Sequence, residues 1–206
     1  MNTKTKEISI ILLTILILGI STSYLSPIGY HISILAFLLI LSANILVKKI
    51  TAYNFESDIT IKPWSIYQFG FRKDAHFKEP VPMSWVPILL TLLTNGTIWW
   101  LALLQFDVKA NPERVSKRHG LYRFTKMTEW HVGMIAFFGI MTNLILGIIS
   151  YILGFEYFAK LNIFFAAWSL VPLGNLDGTK VLFSSRLVWI ITAIITAILT
   201  IIAFSI

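Results

Sequence analysis

Residues 169–183 read "SLVPLGNLDGTKVLF", and the middle of this stretch carries a carboxylate, Asp177, in an otherwise apolar part of the chain. Apolar sequence runs into the stretch and resumes soon after it. A charged group at membrane depth is costly and usually marks function. The simpler interpretation is that Asn175 or Asp177 caps the following helix by accepting hydrogen bonds from its free N–H groups. Both interpretations place Asp177 just before or at the start of the last helix.

The composition is that of an integral membrane protein. The 206 residues are 56% hydrophobic and 13% charged, whereas a soluble domain carries about 25% charged residues. We therefore expect a single membrane domain over residues 1–206, in the all-α polytopic class. Cysteine is absent, which excludes disulfides and cysteine-based chemistry. The net charge of +7 is interpreted as a topology signal in the loops rather than as a nucleic-acid surface.

Apolar runs long enough to cross a bilayer predict five or six transmembrane segments. Five are full or nearly full spans, at residues 7–25, 31–47, 131–154, 160–175 and 183–205. A sixth stretch, 85–106, is either another span or a re-entrant hairpin, because the Asn95-Gly96 pair at its centre is a turn signal.

The basic residues favour the re-entrant hairpin. Loops 48–84 and 107–130 are both basic, and a span between them would place them on opposite faces, against the positive-inside rule. With a hairpin, every lysine and arginine except Lys160 lies on the cytoplasmic side of the cell membrane, together with the amino terminus. A cleaved signal peptide at the first segment is the alternative for that segment, and it leaves the downstream sidedness unchanged.

The first of these loops has the alternation of a strand. Apolar and polar residues alternate over 53–62, which is a strand's period of two. Lys62-Pro63-Trp64 resembles a turn, and 65–71 the return strand. We expect a small cytoplasmic β-hairpin, either as a cap over the helix ends or with an exposed edge that pairs with an extended peptide.

The opening stretch resembles a known signature. "LVPLGNLDG" is similar to the third motif of the site-2 protease family of intramembrane zinc metalloproteases, in which the aspartate is a zinc ligand. Ser169 stands where the family usually has asparagine. The matching residues are Leu170, Pro172, Leu176, Asp177 and Gly178.

A second signature of the same family resembles "FGIMTNLILG", residues 138–147. Gly139 and Asn143 match it, while Phe138 and Ile140 replace its alanine and proline. The two motifs lie in family order on consecutive predicted spans, as in compact members of the family.

The catalytic motif of that family, HExxH, does not occur. Its two histidines bind zinc from one helix face and its glutamate activates the metal-bound water. By resemblance, "LILSANILVKK" at 39–49 takes its place, so that Leu39 and Ala43 replace the histidines and Ile40 replaces the glutamate. The four histidines, none of them in such a motif, are His31, His76, His119 and His131.

A catalytic zinc site needs about three protein ligands and an open position. A relocated site is conceivable from His131, His119 and Asp177, with Glu129 as the general base. In the alternative, these histidines are interfacial or hydrogen-bonded residues without a metal.

Three hypotheses follow from the sequence. The favoured one is a catalytically degenerate member of the site-2 protease family, without a cofactor, that binds or scaffolds transmembrane or extended peptide segments in the lipid bilayer. The second is an active intramembrane metalloprotease with relocated ligands and zinc. The third is a small transporter, suggested by the broken helix at Pro172–Gly174 and the hairpin.

Overall fold

A computed structural model describes residues 3–24, 29–68, 76–111 and 127–205. The helices are α1 (Thr3–Ser23), α2 (Tyr30–Asn54), α3 (Val86–Leu93), α4 (Glu129–Ile152), α5 (Glu156–Leu170), α6 (Asp177–Ser184) and α7 (Arg186–Ser205). The strands are β1 (Ser57–Pro63), β2 (Ser65–Gln68), β3 (His76–Pro82) and β4 (Leu104–Ala110).

Within the described ranges, four helices are long and apolar enough to cross a membrane, namely α1, α2, α4 and α7. The predicted count of five or six is therefore not confirmed. The predicted segment 160–175 forms α5, whose 15 residues span about 22 Å, less than the roughly 30 Å of a hydrocarbon core. Much of α5 is buried against the other helices, including the polar residues Asn162 and Ser169.

The outer faces of the long helices are apolar. Ile201 and Phe204 of α7 are more than two-thirds exposed, and Ile8 and Leu12 of α1 and Leu35 of α2 are more than half exposed. Exposed apolar surface of this extent fits a lipid environment and is unusual on a soluble domain.

Residues 85–106 do not form a long helix. The short helix α3 ends before Asn95 and Gly96, whose φ angles of 48° and 74° turn the chain, and the following residues lead into β4. The strand that follows pairs Ala110 with Ser57, and Asn111 N–H donates to the Glu56 carbonyl at 2.9 Å. The chain therefore returns to the carboxyl-terminal end of α2, as expected for a hairpin.

Strand β1 and helix α3 contact opposite ends of α1. Glu7 accepts a hydrogen bond from Ile61 N–H of β1 at 3.3 Å. One end of α3 lies against the other end of α1, where Ser21 Oγ donates to the Pro87 carbonyl at 3.2 Å. Glu7 and Ser21 are about 21 Å apart along the helix axis. The contacts made by β1 and α3 therefore cover most of the length of α1.

The strands pair differently from the predicted hairpin. β1 is a strand as predicted, with Ile59 and Ile61 buried and Asp58 and Lys62 exposed. Its partner, however, is β4, in antiparallel register, and β2 pairs instead with β3. The predicted pairing of 53–62 with 65–71 was wrong for the described residues 65–68, because the partner of β1 is separated from it by the whole hairpin; residues 69–71 lie outside the described part of the chain.

Helix α4 is the central helix, and glycines set its distance from three neighbours. A Cβ at Gly133 would overlap Ser184 of α6, one at Gly139 would overlap the Lys48 side chain of α2, and one at Gly147 would crowd Ile163 of α5. These close approaches bring α2, α4 and α6 together at one end of the bundle. We call this the motif end.

Gly178 allows α6 to begin against the end of α5. A Cβ there would lie 1.9 Å from the Leu170 carbonyl oxygen, so backbone must move to admit it. We expect Gly178→Ala to lower the unfolding free energy by about 3 kcal/mol, measured by thermal or denaturant unfolding in detergent.

Gly29→Ala is the matched control, because among the described residues its Cβ would meet only His31, at 3.7 Å. Since Gly29 is the N-cap of α2 and alanine is a poorer N-cap than glycine, it is expected to lower the unfolding free energy by less than about 1 kcal/mol. Equal stabilities for the two variants would contradict this account of the packing between α5 and α6.

Candidate functional site

The interior face of α2 is apolar over most of its length and becomes polar near the motif end. Its buried positions recur at helical spacing, and Asn44 and Lys48, one turn apart, are both buried on this face. Asn44 donates its amide to the Gly139 carbonyl of α4 at 2.9 Å. The methylene chain of Lys48 runs over Gly139. A larger residue at 139 would block this path.

Lys48 forms a buried ion pair with Asp177. Its Nζ lies 2.5 Å from Asp177 Oδ2, and the two side chains are only 6% and 4% exposed. Asp177 is the first residue of α6, where a carboxylate also interacts favourably with the helix dipole. The carboxylate of the opening motif is thus neutralised by an ammonium group from the second helix.

Several buried polar atoms near the ion pair have no hydrogen-bond partner among the described residues. Asp177 Oδ1 has no hydrogen-bond partner among the described residues, and the same holds for both amide atoms of Asn143, which is 0% exposed. Asn143 lies one turn beyond Gly139 on α4, so both motif residues of this helix are on its buried face. Unsatisfied buried polar groups cost about 1–3 kcal/mol each.

A second lysine, Lys180, lies beside the pair. Its Nζ is 3.9 Å from the ring centroid of Phe106, and Lys48 Nζ is 5.2 Å from the same centroid. Lys180 also donates to the Asn175 carbonyl at 2.9 Å. Burial lowers the pKa of Lys180 to about 8, with Lys48 acting in the same direction and Asp177 and Asp107 opposing.

The other motif residues serve the packing. Leu176 is 1% exposed and immediately precedes α6, while Pro172 is exposed in the loop after α5. Gly178 closes the contact with Leu170, whose carbonyl also accepts a hydrogen bond from Trp189 Nε1 of α7 at 3.2 Å. The loop therefore fixes where Asp177 enters the interior.

Only some of the residues predicted to form a relocated metal site lie in the described part of the chain. His131 belongs to the capping box of α4, with its Nδ1 2.7 Å from Thr128 Oγ1, and its ring packs edge-on against Phe55. Glu129 is exposed, and His119 lies outside the described residues. Across the described ranges, no three histidine, aspartate or glutamate side chains come together as a metal-binding group.

The alignment of Leu39, Ile40 and Ala43 with the missing motif stays a prediction, but Leu39 does not face the interior. It is 50% exposed, whereas Ile40 is fully buried. The pair of positions one turn apart that faces Asp177 and Gly139 is Asn44 and Lys48. These two side chains do not fit a zinc ion. The ammonium group of Lys48 is paired with the Asp177 carboxylate and has no lone pair with which to bind a metal.

Sequence reasoning missed Lys48 and Lys180 as site residues. Lys48 was assigned to a loop because it ends an apolar run beside Lys49, and the structure places it inside α2 instead. The available signal was the four-residue spacing of Asn44 and Lys48 on the helix face that also carries Ser33, Phe37 and Ile40.

Comparisons with known proteins add no relative, since no family model, no curated protein sequence and no solved structure matches the chain. The interpretation of the site therefore depends on its own geometry.

Breaking the ion pair from one side is expected to be costly. Lys48→Met or Asp177→Leu leaves one charged group buried and uncompensated, which should lower the unfolding free energy by about 3–5 kcal/mol. The measurement is chemical denaturation of the detergent-solubilised protein.

The double variant Lys48→Met/Asp177→Leu removes both charges and should regain most of that loss. Additive losses in the double variant would show that the two side chains do not interact.

Proposed function

We propose that this chain is a non-hydrolytic membrane protein of site-2-protease-like architecture, in which an internal ion pair stands in place of a metal centre and whose role is to bind extended peptide segments. The observation that carries the proposal is the buried contact between Lys48 Nζ and Asp177 Oδ2 at 2.5 Å. The resemblance of the two motifs around Asn143 and Asp177 supplies the architecture.

An ammonium group supports the fold at this position but not the hydrolysis of a peptide bond. Metal-assisted hydrolysis needs a cation with an open coordination position that lowers the pKa of a bound water, and a base that receives the proton. A lysine ammonium balances the charge of Asp177 and offers no such position. The neighbouring interior positions on α2, Ile40, Leu41 and Ile45, are apolar and supply no base.

The binding role is supported by the edge of β4. Two hydrogen bonds show which residue pairs of β1 and β4 are hydrogen-bonded to each other, and so determine the phase of this ladder. They run from Trp64 N–H to the Leu103 carbonyl and from Asn111 N–H to the Glu56 carbonyl. With that phase, the backbone groups of Leu104, Phe106, Val108 and Ala110 point away from β1. Among the described strands, β4 has β1 as its one partner.

The two edges of this sheet differ. On β1, the outward N–H of Ile61 is bonded by Glu7 of α1, so that edge is covered. On β4, Val108 is partly exposed and Ala110 is exposed. An extended peptide added at this end would satisfy the outward backbone groups by strand addition.

Replacing Asn44 and Lys48 with histidine tests whether these positions correspond to the missing metal ligands. A zinc–nitrogen bond of about 2.1 Å and a zinc–oxygen bond of about 2.0 Å let an imidazole plus zinc fill the space of the longer lysine side chain. We expect no stoichiometric zinc in the wild-type protein, and zinc binding in Asn44→His/Lys48→His that is lost on adding Asp177→Ala. The measurement is metal analysis of detergent-purified protein.

Leu39→His/Ala43→His is the matched control, since it has the same spacing but one exposed position, and it should bind no zinc through Asp177. Stoichiometric zinc in the wild-type protein would overturn the proposal. If His131→Ala then removed both the zinc and a chelator-sensitive cleavage of a membrane substrate, the relocated metalloprotease would take its place.

A further inference from the structure

The cluster at the motif end carries more positive than negative charge. Lys48 and Lys180 both approach the ring of Phe106, while Asp177 is the one carboxylate that pairs with them among the described residues. Asp107, on the neighbouring strand, is engaged by Lys62 at 2.5 Å. Lys180 is half-buried and forms no salt bridge among the described residues, so an anionic group would complement the cluster.

A groove opens beside Lys180. Its volume is about 400 Å³, and it lies between the first turn of α4 and the loop that leads into α6. The side chain of Thr179 also lines the groove, and its buried Oγ1 has no partner among the described residues. Residues that line the groove and bear on its charge or polarity are Thr128, Glu129, Asn175, Thr179 and Lys180.

Lys180 has hydrogen-bonding capacity left for a ligand. An ammonium group has three donors, and one of those on Lys180 is used by the Asn175 carbonyl. The contact with the Phe106 ring holds the side chain beside β4, whose outer edge is the proposed peptide site. Lys180 is therefore a residue of the groove that also contacts β4.

We propose that the groove receives the carboxylate of an aspartate or glutamate in an extended peptide, which pairs with Lys180 while the peptide backbone adds to the edge of β4. This inference rests on the proposed function, because it names the chemistry of the peptide bound there. It selects acidic peptides over neutral ones of the same shape.

Glu129 limits the charge that the groove accepts. Its carboxylate lines the same groove and repels a second negative charge. A peptide with a single acidic residue, flanked by neutral or basic ones, is therefore preferred over a polyacidic one. Removing the charge of Glu129 should therefore change the preference for an acidic peptide in the opposite direction to removing the charge of Lys180.

The test uses a fluorescent peptide of alternating threonine and valine with one central aspartate, and its asparagine counterpart. Both are titrated against the full-length protein in nanodiscs, and binding is followed by fluorescence anisotropy. The aspartate peptide should bind about tenfold more tightly, as expected for a hydrogen bond to a charged group. Lys180→Gln should abolish the preference, and Glu129→Gln should increase it.

The pH dependence supplies a second readout. The charged groups around Lys180 are Lys48 on α2, Asp177 on α6, Asp107 on β4 and, across the groove, Glu129 on α4. Because the pKa of Lys180 is about 8, the amine is protonated below that pH and neutral above it. The preference for the aspartate peptide should fall as pH rises through about 8, and the asparagine peptide should show no such change.

The outcomes separate this inference from the proposed function. Val108→Pro, which removes an outward N–H from β4, should weaken both peptides equally if strand addition occurs at this edge. Equal binding of the two peptides, still sensitive to Val108→Pro, would overturn the acidic preference and leave the peptide site in place. Failure of both peptides to bind would overturn the two together.

Discussion

The ion pair between Lys48 and Asp177 is the constraint around which the motif end is built. It joins the second helix to the start of α6 through a contact that excludes water, and every close approach nearby serves it. Gly139 leaves room for the lysine side chain, and Gly178 lets α6 begin close enough to α5 for Asp177 to reach inward. Without either small residue, the two charges would be buried but separated.

This pair is a poor explanation of stability by itself. Desolvating two charges costs several kcal/mol per ion, and replacing a buried pair with well-packed apolar side chains is often neutral or stabilising. The surrounding orphan atoms, Asp177 Oδ1 and the amide of Asn143, add to that cost. The pair therefore does not by itself account for the stability of the motif end.

Much of the fold could be predicted because it depends on local patterns. Long apolar runs predicted α1, α2, α4 and α7, and the Asn95-Gly96 pair predicted the reversal of the chain. Alternation predicted β1 as a strand. The depth of the hairpin in a membrane and the cytoplasmic placement of the motif end stay predictions, since they depend on a bilayer that lies outside the chain.

The errors concern relations between distant residues. The pairing of β1 with β4 spans the whole hairpin, and a strand's own alternation does not identify its partner. The predicted span at 160–175 is not confirmed, since α5 is short and an apolar composition is favoured by burial in protein as well as by burial in lipid. Lys48 looked like a loop charge because its partner, Asp177, is remote in sequence.

The charges at the motif end are unequal in number. Asp177 supplies one negative charge, and two lysines from different elements lie near it and near the ring of Phe106. Lys48 is committed by its short contact with Asp177, whereas Lys180 is held by one neutral carbonyl and an aromatic ring. The two lysines therefore have separate roles, one closing the interior and the other facing the groove. The charge at the motif end is therefore divided between a buried pair and a half-buried amine at the groove.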